Sequence, residues 1–287
     1  MAPAAATATD LVLQAPRCAP GVVARLARAA QAGAIVPCGR GAPDAYRLPD
    51  VAADASLLRH AYDLGCDAAF VPHDRTLGRV RVVAMDMDST LITIECIDEI
   101  ADLKGIKPEV AAITASAMRG EIDFAESLRR RVALLAGIEV ALLQQVYDDR
   151  LELMPGAEAM LAGFRAVGAT TVLVSGGFTF FTDQLRARLG FDVTVANTLA
   201  VADGRLTGGI EGPIVDAQAK ADTVRALARE HSGGDGLTVV LGDGANDLPM
   251  FAAADVSIAY HAKPVVRAAA THTLDFCGLD GALNLFG

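Results

Sequence analysis

Two aspartates flank a single residue in the segment Asp86-Met87-Asp88-Ser89-Thr90, directly after the apolar run 80–85. Carboxylates this close repel each other unless a cation lies between them. A carboxylate can also attack phosphorus or move a proton. The ordinary alternative is a turn whose aspartates cap the next helix. The segment alone leaves both interpretations open.

Three more polar segments could join this pair. Ser175-Gly176-Gly177 and Gly242-Asp243-Gly244-Ala245-Asn246-Asp247 each follow an apolar run, and Lys220 opens a predicted helix over 221–230. A hydroxyl beside glycine amides suits a phosphate, and a lysine would balance the phosphate charge. Taken singly, each segment also has a plain structural interpretation, as a helix cap, a turn or a surface lysine.

The composition narrows the class of partner. A net charge of −10 and a pI near 4.9 repel a phosphate backbone, which argues against nucleic acid. No apolar stretch approaches the roughly 18 residues of a membrane span, and the N-terminus lacks the pattern of a secretory signal, so we expect no membrane association. Five scattered cysteines without a C-x-x-C pair favour neither a disulfide framework nor a zinc site. We therefore expect a reducing cytoplasm.

Hydrophobic periodicity divides the chain in two. Residues 1–78 predict a small α+β domain of order βαββαβ, which is ferredoxin-like and loosely resembles the ACT modules that bind amino acids. The expected elements are strands at 11–13, 34–36, 45–48 and 68–71, helices at 21–32 and 56–64, and a polar linker at 72–79. Packing or dimerisation is the favoured role of this domain, so a homodimer is among the assemblies we expect.

Residues 79–287 predict an α/β domain with a Rossmann-like parallel sheet. Its strands are nearly all apolar, as in a sheet that helices cover on both faces, and such sheets bind ligands beyond the carboxyl ends of the strands. The long segment between the first two strands, about 97–150, is helical in pattern. We predict that it forms a cap inserted above that edge. An Asp203-Gly204 turn within 193–212 predicts a hairpin.

Taken in order, the four polar segments resemble the haloacid dehalogenase superfamily, whose motifs read D-x-D-x-[TV], S/T, K and G-D-x-x-x-D. The resemblance spans about 80–287. It implies that Asp86 is a nucleophile that forms an aspartyl phosphate and that Asp88 serves as acid and base. It also implies Mg²⁺ as the cofactor, bound by the Asp86 side chain, the Asp88 backbone carbonyl and Asp243, with Asp247 in support.

The segments 86–99, 117–132 and 242–250 resemble more closely the phosphoserine phosphatases of that superfamily. This resemblance implies hydrolysis of the small molecule O-phospho-L-serine, the last step of serine biosynthesis. The implied substrate-binding residues are Glu95 for the ammonium group, Arg131 for the carboxylate, Phe124 as a shield over the site, Ser175, Gly176 and Lys220 for the phosphate oxygens, and Asn246.

Two other functions stay open at this point. A phosphatase or phosphotransferase of the same fold could act on another small phosphomonoester, and replacement of Glu95 or Arg131 would have favoured that function. A non-catalytic regulator could bind an amino acid through residues 1–78, and loss of Asp86 or Asp243 would have favoured that one. All four residues are present.

Overall fold

The first strands of the chain form a four-stranded antiparallel sheet. The computed structural model describes residues 9–41, 43–231 and 234–287, so the start of the predicted N-terminal domain, residues 1–8, lies outside the described residues. The elements are β1 (Thr9–Ala15), α1 (Pro20–Ala29), β2 (Val36–Pro37), β3 (Asp44–Leu48), α2 (Ala55–Asp63) and β4 (Asp67–Pro72). The strand order β2-β3-β1-β4 confirms the ferredoxin-like arrangement. β2 begins later than expected and ends at a proline, which has no N–H to donate, and α1 ends at Ala29 rather than at residue 32.

Both faces of this small sheet are buried. In β1, Leu11 and Leu13 pack with α1 and α2, whereas Val12 between them belongs to the main core of the chain. Alternate residues of a strand point to opposite faces, so β1 joins two hydrophobic cores. Where the first domain ends stays a prediction, because its sheet shares that core with the rest of the protein.

A seven-stranded sheet forms the larger part of the fold. Its strands are β5 (Val80–Met85), β6 (Thr170–Phe178), β7 (Val193–Ala202), β8 (Arg205–Glu211), β9 (Leu237–Gly242), β10 (Val256–Tyr260) and β11 (His272–Leu274). The order is β11-β10-β9-β5-β6-β7-β8, and all neighbours are parallel except β7 and β8. The latter two form the predicted hairpin, and Asp203 and Gly204 both take positive φ in its turn.

Helices cover this sheet and rise above one of its edges. Of the five helices between β5 and β6, the first four lie where the cap was predicted: α3 (Cys96–Lys104), α4 (Lys107–Met118), α5 (Phe124–Ala133) and α6 (Val140–Asp149). The remaining helices are α7 (Ala157–Ala166), α8 (Thr179–Leu189), α9 (Ala217–His231), α10 (Leu248–Phe251) and α11 (Pro264–Ala269). Two connecting segments join the cap to the sheet. They lie side by side, and Thr93 N of one donates a hydrogen bond to Glu152 O of the other at 2.9 Å. In the described part of the chain, each helix is too short or too polar to cross a bilayer.

The C-terminal segment lies between the two sheets, and the sequence did not reveal this placement. Residues 279–285 form a 3₁₀ helix in which every residue is buried. Asp67 of β4 accepts hydrogen bonds from the backbone N–H groups of Asp275, Phe276 and Cys277 at 2.7–3.1 Å. Asn284 Nδ2 donates to Gln14 Oε1 at 2.8 Å. We refer to this region, formed by β1, β4 and residues 275–287, as the junction.

Candidate active site

The carboxyl ends of three neighbouring strands bring the predicted polar segments together. Asp86 follows β5, Ser175 lies in β6, and Asp243 follows β9, and β5 lies between the other two strands. Asp86 N donates to Leu241 O at 3.1 Å, which fixes the start of the first motif against β9. Asn246 Nδ2 donates to Asp86 Oδ2 at 3.1 Å. The prediction that these segments meet at one edge is confirmed.

Lys220 is the charged centre of this edge. Its Nζ lies 2.8 Å from Asp86 Oδ2 and 2.7 Å from Asp247 Oδ1, and its side chain is 1% exposed. The sequence placed Lys220 just before a helix, but α9 begins at Ala217 and Lys220 lies in its first turn. Burial would lower the pKa of this lysine, but the charges of Asp86 and Asp247 outweigh burial and raise it. Lys220 is therefore a buried cation and not a surface lysine.

Three carboxylates form a group that could hold a metal ion. Oxygen atoms of Asp86, Asp243 and Asp247 lie within 4.8 Å of one another. Burial raises the pKa of Asp243 even though Thr90 Oγ1 donates to its Oδ1 at 2.8 Å. An all-oxygen set of this kind suits a hard divalent cation. The residues present therefore fit a metal site.

Asp247 differs from the other two members of this group because its oxygens already have partners. Oδ2 accepts the backbone N–H groups of Asp243 and Gly244, both at 3.1 Å, and Oδ1 is the partner of Lys220. Its side chain is fully buried. Burial, followed by the charge of Asp86, raises its pKa. The geometry therefore gives Asp247 a role in shaping the loop and orienting Lys220.

Asp88 faces the segment that ends β6. Its Oδ1 accepts the backbone N–H of Cys96 at 3.2 Å, and a Cβ on Gly177 would lie 2.9 Å from its Oδ2. Glycine is thus required at position 177 for this close approach. Burial and the neighbouring charge of Glu95 raise the pKa of Asp88 well above its usual range. A carboxyl group of this kind can carry a proton and donate it.

The segment 175–177 belongs to a strand, whereas the sequence analysis placed it after one. β6 does not stop at Val174 but continues to Phe178, and its pairing with β7 is irregular over the segment and resumes at Phe178 opposite Asn197. Ser175 Oγ accepts the N–H of Gly177 at 2.9 Å. The hydroxyl hydrogen of Ser175 is therefore free to point at a ligand.

The cap helix α5 brings two predicted residues over this edge. A Cβ on Gly176 would lie 3.1 Å from Cζ of Phe124, so the phenyl ring covers the segment 175–177. Arg131 lies two helical turns further on, on the same face of α5. Burial lowers the pKa of Arg131, opposed by the charges of Asp98, Glu95 and Asp88. Within residues 9–41, 43–231 and 234–287, no carboxylate oxygen lies within 4.0 Å of its guanidinium.

Glu95 immediately precedes α3 and is close enough to Asp86 and Asp243 for their charges to raise its pKa, although burial raises it more. Its Oε1 accepts the hydroxyl of Ser89 at 2.8 Å, and Ser89 itself has φ of 57°, a left-handed conformation that costs free energy for a residue other than glycine. The contact fixes the carboxylate without neutralising it. Glu95 and Arg131 carry opposite charges and are close enough for these charges to interact.

The structure brings the residues of the four polar segments to one edge and places Phe124 and Arg131 on the cap, and it adds others that the sequence analysis missed. Thr90 and Ser89 stand inside the first motif, where their proximity to the aspartates was a usable signal. Asn197 contacts the segment 175–177 from β7. Its only signal was an amide within an otherwise mostly apolar strand.

Comparisons with known proteins agree with this geometry. The family profile described as haloacid dehalogenase-like hydrolase matches residues 83–252, which include every motif of the site. The chain belongs to the haloacid dehalogenase-like hydrolase family. It is therefore an enzyme of the hydrolase class, and its parallel sheet with an inserted cap is the fold expected of a haloacid dehalogenase-like hydrolase.

Curated relatives of this haloacid dehalogenase-like hydrolase include phosphoserine phosphatases. A phosphoserine phosphatase from Polaromonas sp. is 50% identical over 221 residues, which cover 74% of this chain and 92% of the relative. The unliganded crystal structure of a probable phosphoserine phosphatase from Vibrio cholerae superposes with a TM-score of 0.82 at 35% identity, covering 96% of this chain and 85% of that one. A HAD family hydrolase from Salmonella enterica gives a TM-score of 0.86 at 30% identity, covering 98% and 99%.

Proposed function

We propose that this enzyme hydrolyses O-phospho-L-serine to L-serine and phosphate. The observation that carries the proposal is the pair of opposite charges beneath the cap. Glu95 is close enough to Asp86, and Arg131 to Asp88, for their charges to interact, so an ester bound by its phosphate at Asp86 would extend its alcohol part towards them. A zwitterionic amino acid needs one anion and one planar cation, and a guanidinium donates two parallel hydrogen bonds to a carboxylate. The names of the relatives point to the same substrate.

The first chemical step belongs to Asp86. Its carboxylate would attack phosphorus and form an aspartyl phosphate, while the bond from phosphorus to the serine oxygen breaks. Asp88, whose pKa is raised by burial and by the charge of Glu95, would give a proton to the departing oxygen. Lys220 and the Ser175 hydroxyl would hold the non-bridging oxygens as charge shifts onto them.

The second step returns the enzyme to its starting state. Asp88, now a carboxylate, would take a proton from a water molecule that attacks the aspartyl phosphate. Phosphate leaves and the Asp86 carboxylate is regenerated. Phe124 lies over the segment 175–177 and would limit the access of other water molecules while the cap is closed.

Mg²⁺ is the metal we propose for the carboxylate group. The side chains of Asp86 and Asp243 and the backbone carbonyl of Asp88 would hold it, with Asp247 supporting the loop. Bound there, it would neutralise the repulsion between the Asp86 carboxylate and a phosphate. A preference for Mg²⁺ over Ca²⁺ follows from the stricter octahedral geometry of the smaller ion.

Two of our sequence predictions remain proposals. The cytoplasmic location is supported by the five free thiols, since none of the cysteines is paired. A homodimer through the N-terminal domain remains a prediction to be tested by the mass of the protein in solution.

The test is phosphate release from a panel of phosphomonoesters, with and without Mg²⁺. We expect O-phosphoserine to be the best substrate and its turnover to require the metal. A better rate with another monoester would contradict the substrate assignment and leave the family unaffected. Comparable release from all esters would mean that Glu95 and Arg131 do not select the alcohol part.

A further inference from the structure

One asparagine side chain joins the two segments that face the phosphate position. Asn197 of β7 is 0% exposed. Its Nδ2 donates to Gly176 O at 2.9 Å and to Val215 O at 3.4 Å, and its Oδ1 accepts Val215 N at 2.8 Å. A buried amide with each polar atom engaged in this way rigidifies what it touches.

The partners of Asn197 lie next to the phosphate-facing groups. Gly176 follows Ser175 in the chain, and the Ser175 hydroxyl is one of the groups proposed to donate a hydrogen bond to the phosphate. Val215 precedes α9, which carries Lys220 in its first turn. The segment 175–177 is irregular in its pairing with β7, so the strand ladder alone does not hold it. The bond from Asn197 to Gly176 O supplies the missing constraint.

We propose that Asn197 is a positioning residue of the phosphate site, which sets the distance between the Ser175 hydroxyl and Lys220 without touching the substrate. The inference rests on the proposed function only in requiring that phosphate binds at this edge. Gly176 O and Val215 O both need a donor, and Val215 N needs an acceptor, so only a side chain with both groups serves. An aspartate of the same shape would place an oxygen against two carbonyl oxygens.

The test compares the same substitution at two equally buried asparagines. Asn197→Asp removes the donor near the phosphate segment, and Asn284→Asp removes the donor to Gln14 at the junction, far from the site. We would measure binding of inorganic phosphate to the Mg²⁺-loaded full chain, together with the melting temperature. Affinity of the folded protein does not depend on how much of the sample is unfolded, so it separates positioning from stability.

We expect Asn197→Asp to weaken phosphate binding roughly tenfold or more, since displaced donors no longer meet the oxygens. The value of kcat/KM should fall by a similar factor for O-phosphoserine and for p-nitrophenyl phosphate, because both share the phosphate. Asn284→Asp should lower the melting temperature and leave both quantities within about twofold. The variant Asn197→Ser removes the amide without adding charge and should show the same pattern as Asn197→Asp. It provides the test if Asn197→Asp does not fold.

The inference is wrong if the Asn197 variants bind phosphate as the wild type does and lose only stability. A wild-type enzyme that hydrolyses p-nitrophenyl phosphate but not O-phosphoserine would overturn the proposed substrate. It would leave the role of Asn197 open to the same phosphate measurement, so the two failures are distinguishable.

Discussion

Polar groups of low exposure occur in two regions of this protein, the active-site edge and the junction. The two regions differ in how far hydrogen-bond donors and cations match their carboxylates. At the junction Asp67 accepts three backbone N–H groups, and the side chains of Asn284 and Gln14 bond each other. At the edge, carboxylates outnumber cations. Asp86 and Asp247 are buried, Asp88 and Asp243 are partly buried and Glu95 is exposed, and the cations are the buried Lys220 and the partly buried Arg131.

The difference indicates which region binds and which one stabilises. A buried carboxylate without a counter-charge is costly, and it persists where a cation or a ligand completes it. Burial also raises the pKa of Asp67, but three backbone N–H groups oppose this shift, so hydrogen bonds within the fold and not a ligand hold its carboxylate. We therefore expect substitutions at the edge to change activity and substitutions at the junction to change the free energy of unfolding.

The largest effect should come from Asp86→Asn. The amide keeps the size of the side chain and removes the nucleophilic charge, so we expect a loss of more than about a thousandfold in kcat for O-phosphoserine. Steady-state phosphate release measures it. The matched change Asp67→Asn at the junction should leave kcat per folded molecule within about twofold. Residual activity of Asp86→Asn within tenfold of wild type would exclude the covalent mechanism.

The same Asp67→Asn variant should lose stability. An amide directs a donor at backbone N–H groups that now lack an acceptor, which we expect to lower the free energy of unfolding by about 2–3 kcal/mol. For a chain of this size that corresponds to a melting temperature about 3–5 °C lower. Asp63→Asn, an exposed change at the end of α2, serves as the control and should leave the melting temperature unchanged. Equal shifts for the two variants would contradict the structural role of Asp67.

Substrate choice should depend on Arg131. Arg131→Lys replaces a guanidinium that donates two parallel hydrogen bonds by an ammonium that acts as a point charge. We therefore expect kcat/KM to fall about ten- to a hundredfold for O-phosphoserine and to stay nearly constant for p-nitrophenyl phosphate. Arg129→Lys, exposed on the same helix, should change neither. Equal losses of both substrates for Arg131→Lys would instead mean that Arg131 supports the cap or the phosphate.

Near the junction, His272 makes stability depend on pH. Burial and the adjacent Arg75, whose Nη1 lies 2.6 Å from His272 Nε2, lower its pKa to about 3. The unfolded chain takes up this proton near pH 6.5 and the folded chain does not. Stability is therefore complete above about pH 6.5 and declines as the pH falls towards 3, by up to about 1.4 kcal/mol per pH unit.

We expect His272→Gln to reduce this dependence. Denaturant unfolding at pH 7 and pH 5.5 should show a decrease in the free energy of unfolding that is about 1 kcal/mol smaller than in the wild type. His60→Gln, partly exposed on α2, should retain the wild-type slope. An unchanged slope for His272→Gln would assign the acid sensitivity to other groups.

Much of the site could be predicted from the sequence because its parts are local. An apolar run that ends in Asp86 or Asp243 predicts both a buried strand and a polar strand end, and parallel topology then brings those ends together. The helical cap and the ferredoxin-like order followed from periodicity in the same way.

The remaining features depend on contacts between distant segments. Lys220 looks like a surface lysine until Asp86 and Asp247, from two other segments, surround it. Asn197 and the buried residues 279–285 carry no local signal of their partners, and the irregular end of β6 depends on its pairing with β7. Such contacts are tertiary, so neither periodicity nor a motif encodes them.

Binding of Mg²⁺ tests the contrast between the two regions most directly. A second acidic group, Asp10, Asp50 and His73, lies beside the small sheet, but Arg47 Nη1 is 3.0 Å from Asp10 and already supplies a cation. We predict that saturating Mg²⁺ stabilises the wild type and Asp10→Asn equally, by about 2–3 kcal/mol at a hundredfold excess over Kd, and leaves Asp243→Asn unchanged. Stabilisation that survives Asp243→Asn and disappears with Asp10→Asn would contradict the account.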